Sequence, residues 1–225
     1  MRGVGALLLK DLRIELRTKE TLGVNLFLAL VIAVVAALGV NSAFVGGDVI
    51  TRLFPALVWI SFLFSATTAA TRMYEPELEH MAIEGILLAG RSPALIFVSK
   101  WLVSALIMGI GQLLNLVALG ILLDVPLFAQ FPEFLVVSVL VVGGFAALTT
   151  LLGAVSSTSR LKGILLPVLL FPLSFPLFFA AIELSMGVVT GGGLPVSSPW
   201  LSLLVGLDVL YFVLGLNLIA YVVRD

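Results

Sequence analysis

The sequence predicts an all-α membrane protein with six transmembrane helices, an N-terminal interfacial helix and a short helix on the cytoplasmic side. Three observations predict it. Of 225 residues, 61% are hydrophobic and 11% are charged, against roughly 25% charged in an ordinary soluble domain. With a mean hydropathy of +1.24, a soluble fold of this length has too little polar surface to cover its core, and lipid is the solvent it needs. The apolar residues also gather into six long segments, near 22–42, 53–71, 96–123, 133–155, 162–183 and 199–223. Finally, eleven of the 12 Lys and Arg residues fall on one side of those spans, and only Arg52 falls on the other. By the positive-inside rule this puts both termini in the cytoplasm. Short connections leave no room for a soluble domain, so residues 1–225 read as one transmembrane domain.

The first element is residues 1–20. Leu9, Leu12 and Leu16 share one helical face, and Lys10, Arg13 and Arg17 repeat the same spacing on an adjacent one. That is an amphipathic helix lying in the interface, basic side chains toward anionic headgroups. Glu15 and Lys19 add an i, i+4 pair. Charges from Arg2 to Glu20 make this stretch too long for the basic region of a signal peptide, so the apolar run that follows is read as a mature span.

The segment after the second span, 72–91, is the most informative. Pro76 suits a first helical turn and Gly90 a C-terminal cap. Glu75, Glu77 and Glu79 cluster where a helix dipole favours acids. Leu78, Met81, Ala82, Gly85 and Ala89 recur on one face. A helix of about 14 residues is roughly 21 Å long, too short to span. It lies along the cytoplasmic surface and presents carboxylates to water or to a partner. A solvated linker and a docking element fit this spacing equally well.

The fifth span carries Pro167, Pro172 and Pro176. Each removes a backbone donor, so this span is expected to bend, or to turn and re-enter the outer leaflet. These prolines are a candidate gate. Gly191, Gly192, Gly193, Pro195 and Pro199 predict a flexible external loop after it. In the sixth span Asp208 is a candidate intramembrane polar site. It faces the helix bundle in one reading and serves transport in the other. Glu183 marks the outer end of the fifth span.

Several chemistries have no support. With no cysteine there is no disulfide, thiolate metal site or cysteine nucleophile. No G-x-x-x-x-G-K-[ST] loop, H-E-x-x-H or G-x-S-x-G elbow is present. His80, the single histidine, lies among surface carboxylates and reads as a surface residue. Trp59, Trp101 and Trp200 are widely separated and read as interface anchors. The chain is expected not to be an enzyme, to bind no metal or nucleic acid, and to obtain any energy from a separate ATPase.

The order of these features resembles the haem exporter protein B (CcmB) family of the cytochrome c maturation system. One block runs from Arg52-Leu-Phe-Pro-Ala-Leu-Val-Trp59 through Arg72, Tyr74, Glu77, Glu79, Glu84 and Leu87–Leu88 to Lys100. It is similar to the family's R-x-[FY]-x-x-E-x-E…L-E-x-[LI]-L-L run. The other is the basic turn at Ser159–Gly163 with the run from Ile164 to Leu177, similar to the family's L-P-L-x-[IF]-P-L. The sequence departs from the pattern at Thr71, where an acid is usual, and at His80–Met81, where an acid–glycine pair is usual.

The resemblance implies an ABC-2 type permease of the bacterial inner membrane, whose segment 72–91 is a coupling helix seated on a CcmA-like ATP-binding subunit. Arg72, Tyr74, Glu77, Glu79, Glu84 and Leu87 would make that contact. ATP stays on the partner, and haem is the implied cargo of the complex, with no haem bound directly by this chain. Further implied partners are a CcmC-like haem-handling protein, a small CcmD-like subunit and a CcmE-like haem chaperone, with two copies of this chain per complex. The residues alone fit equally an ABC-2 permease for a lipid, glycan or drug. They also fit a membrane scaffold that transports nothing, and a secondary transporter built on Asp208 comes third.

Overall fold

In lipid every backbone N–H and C=O must find a partner within the chain, and long apolar segments meet that demand as helices. The computed structural model describes residues 13, 20–42, 46–80, 93–126, 130–157, 162–194 and 197–222. Among them the chain is all helical. The helices are α1 (Glu20–Ser42), α2 (Gly47–His80), α3 (Pro93–Leu122), α4 (Phe131–Ser157), α5 (Lys162–Gly187) and α6 (Pro199–Val222). Each supplies a stretch of 20 to 30 residues long and apolar enough to cross a membrane, the one in α5 running on through Gly192. Residues 1–12 and 14–19 of the expected interfacial helix lie outside the described residues, as do 81–91 of the expected coupling segment.

Helix α4 is the centre of the bundle. Its span is 72% buried, against 22% for α1 and for α6, and it packs against α2, α3, α5 and α6. Helix α1 packs on α2 and α3, and α6 on α3, α4 and α5. The largest enclosed side chains are aromatic. Phe62 of α2, Phe145 of α4 and Phe178 of α5 meet with ring centroids 5.4 to 6.0 Å apart. These are edge or tilted contacts that fasten three helices at one level. Hydroxyls within the helices fold back on their own carbonyls, as Thr67 does on Leu63 at 2.6 Å and Thr71 on Thr67 at 3.0 Å.

The structure differs from the sequence expectations in four places. Helix α2 does not end at the membrane: it continues as one helix through Pro76 to His80, whereas Pro76 was expected to open a separate helix. The apolar span stops at Thr71. Pro76 therefore removes its backbone hydrogen bond outside the apolar region, where water can satisfy the freed carbonyl. Helix α5 runs as one helix through all three prolines, which the expected bend allows and a turn within the span does not.

The glycine loop after α5 is ordered at its start. Val188–Gly192 form a π turn in which Gly191 takes φ 85°, and Gly193 follows with φ 66°. Side chains rarely adopt these angles, which accounts for glycine at both positions. Pro199 belongs to α6 as its first residue, with the Ser198 hydroxyl capping the Trp200 amide at 3.2 Å. Trp59 and Trp101 are not interface anchors. Both indoles are engaged inside the bundle, while Trp200 at the start of α6 packs edge-on against Phe179.

Candidate functional site

Helix α6 is held through polar contacts that an apolar seam would not supply. Gly144 of α4 leaves a notch that the Asp208 carboxyl fills. A Cβ at Gly144 would fall 2.0 Å from Asp208 Oδ1 and 2.7 Å from Leu177 Cδ1 of α5. Oδ1 is fully enclosed and no donor reaches it. One turn along, the Tyr211 hydroxyl donates to the Leu173 carbonyl of α5 at 2.6 Å. Next to Gly144, the Gly143 carbonyl accepts from Trp101 Nε1 of α3 at 2.9 Å. The Trp101 ring stands edge-on to Phe212 of α6, with centroids 4.9 Å apart. Gly215 lets Phe97 lie against the α6 backbone: a Cβ there would meet Phe97 Cζ at 2.1 Å.

This contact set brings together two of the sequence-predicted sites. Leu173 lies between Pro172 and Pro176, and Leu177 follows the second. The proline-bearing stretch of α5 therefore accepts a bond from Tyr211 at Leu173 and borders the Gly144 notch that Asp208 fills through Leu177. Pro172 and Pro176 leave the carbonyls of Val168 and Pro172 without their helical donors, so α5 is least tied to itself beside the residues that tie it to α6. Pro167 lies farther toward the start of α5. An apolar groove of about 500 Å³ opens between α2 and α5, lined by Leu63, Phe171, Pro172, Ser174, Phe175 and Phe178.

The other predicted site stands apart. Arg72, Tyr74, Glu77 and Glu79 belong to the part of α2 beyond its apolar span. Glu84 and Leu87 lie outside the described residues. Toward its other end α2 is fastened to α5 by a buried bond, Trp59 Nε1 donating to Ser185 Oγ at 2.9 Å. One helix thus joins the charged segment outside the membrane to the proline-rich one inside it.

Sequence reasoning missed a seam of amides. Asn25 of α1 donates to the Ile107 carbonyl of α3 at 3.2 Å and lies in the notch at Gly111. Asn115 of α3 donates to the Val58 carbonyl of α2 at 2.9 Å and to Gln112 Oε1 at 3.3 Å. All three amides are about 1% exposed. The signal was present as Asn and Gln inside apolar spans, where such groups bond across helices. Attention to ionisable residues alone passed over it.

The architecture is that of a polytopic membrane protein whose bundle is cross-linked by buried polar contacts. Among the described residues no group of three or more His, Cys, Asp or Glu could hold a metal ion. The chain belongs to the CcmB protein family, whose model matches residues 2–224. It is also 28% identical over 196 residues to heme exporter protein B of Bradyrhizobium diazoefficiens, covering 85% of this chain and 84% of that one.

Proposed function

We propose that the chain is the permease subunit of an ATP-driven complex that exports haem, or loads it onto a haem chaperone, for c-type cytochrome biogenesis. The observation that carries this reading is the family match across nearly the whole chain, joined by a relative named heme exporter protein B. The protein sits in the bacterial inner membrane with both termini cytoplasmic, because eleven basic residues share that side. ATP hydrolysis falls to a CcmA-like subunit docked on segment 72–91. CcmC-, CcmD- and CcmE-like proteins complete the assembly around two copies of this chain.

The continuity of α2 supports a mechanism. From Arg72 to His80 the helix extends roughly 13 Å past its apolar span, at 1.5 Å per residue. A push on that extension is carried along the continuous helix α2 to the Trp59–Ser185 bond and so to α5. Helix α5 yields at Pro172 and Pro176, where backbone bonds are missing. Docking at one end thereby biases two arrangements of the bundle at the other.

The test is charge reversal of Glu77, Glu79 and Glu84 to Lys in the assembled complex. Association with the ATPase and stimulation of its turnover are expected to fall together. If both are retained, the docking site is elsewhere. Cytochrome c maturation that survives an ATPase-dead partner would instead make the chain a scaffold.

A further inference from the structure

We propose that the outer edge of α6 docks a transmembrane helix of another polypeptide, and that Asp208 pairs there with an arginine or lysine brought to the same depth. Asp208 is nine residues into α6, about 13 Å from its start, which is near the middle of a hydrocarbon layer roughly 30 Å thick. Its Oδ1 is shut in against Gly144 without a donor. The residue as a whole is only half-buried. Val205 and Val209 beside it are exposed, whereas Leu201 and Phe212, to either side along the helix, pack against the bundle's own core.

Charge complementarity selects the occupant. Lipid tails offer no donor to a carboxylate at this depth, and such groups are found facing protein or water. A second copy does not meet the need. Two α6 edges related by a twofold axis set Asp208 against Asp208. In the described helices Arg52, Arg72, Lys100 and Lys162 each lie within about two turns of a helix end. A different polypeptide with a cationic side chain at mid-depth satisfies the half-buried carboxyl and covers Val205 together. The inference does not depend on what the complex carries.

The experiment places a photo-crosslinking amino acid at Val205 of the full chain in native membranes and maps the adduct. The expected adduct is a transmembrane peptide of another protein with Arg or Lys within one turn of the crosslink. Asp208→Leu should lower its yield about ten-fold, since a membrane-buried cation would lose its partner. Asp208→Arg should do the same, and exchanging the partner's basic residue for Asp should restore the yield in that background. Asp208→Asn keeps the shape of the side chain. If Asp208→Leu fails to accumulate, a clear fall in yield with Asn carries the test. Adducts only with lipid or a second copy, a partner helix without a basic residue, or a yield indifferent to Asp208 would each overturn the proposal. So would an unchanged adduct in an Asp208→Asn protein that has lost activity, which would make Asp208 a proton carrier instead.

Discussion

Replacing Gly144 with alanine adds one methyl group at the point where α4 meets α6. The new Cβ would lie 2.0 Å from Asp208 Oδ1, 3.1 Å from its Cγ and 2.7 Å from Leu177 Cδ1. Ordinary contact needs more than an ångström of additional room on the Asp208 side. Asp208 cannot retreat along α6 without surrendering its enclosed position, so either its side chain swings outward or the two helices separate. Overpacking of this kind costs about 1–3 kcal/mol. The assay is a double-mutant cycle on the purified protein in one detergent, following unfolding by near-UV dichroism. Gly144→Ala is expected to destabilise the wild type by that amount. In an Asp208→Ala background most of the penalty should vanish, leaving the milder clash with flexible Leu177. Equal penalties in the two backgrounds would refute the reasoning, because Asp208 would then not be what fills the notch.

Three further outcomes follow from the buried polar contacts. Ser185→Ala strands the Trp59 indole N–H in the core and should cost about 1–3 kcal/mol. Combining it with Trp59→Phe should recover part of that loss in the same unfolding assay. Tyr211→Phe deletes the bond to the Leu173 carbonyl, for about 1 kcal/mol. Its readout is faster amide exchange in residues 173–177, beside Pro172 and Pro176, with little change elsewhere. Gly111→Val places a Cβ where Asn25 Nδ2 lies 2.3 Å away. Asn25 should then leave the Ile107 carbonyl, loosening α1 selectively, which exchange over 20–42 would register.

The six spans were legible because length and apolarity suffice to define them, and each boundary fell within a few residues except for α2. There the sequence changes from Thr-Ala-Ala-Thr to acidic residues and a proline, a pattern that reads as a break. The backbone continues through Pro76, whose freed carbonyl lies beyond the apolar span where water can bond it, and nothing at Arg72–Tyr74 stops the helix. The prolines of α5 and Asp208 were each visible one at a time. That Leu177, next to Pro176, and Asp208 border one notch depends on Gly144, a residue whose role lies in what it lacks and which only packing reveals. Trp59 and Trp101 were misread for a similar reason. An indole near the end of an apolar segment suits an interface as well as a core, and the acceptors that decide, Ser185 Oγ and the Gly143 carbonyl, are distant in sequence. The cargo was legible through family resemblance alone, since no described side chain distinguishes haem from another amphipathic molecule.

Whether this chain couples a partner's ATP turnover to haem delivery is read most directly from covalent haem in c-type cytochromes of a strain lacking the chain, complemented with the wild type or with the Glu77, Glu79 and Glu84 charge-reversed form. Restoration by the wild type, with loss both in the charge-reversed form and when the partner ATPase is inactivated, is the predicted result. Full maturation without the chain, or full maturation with a dead ATPase, would contradict it.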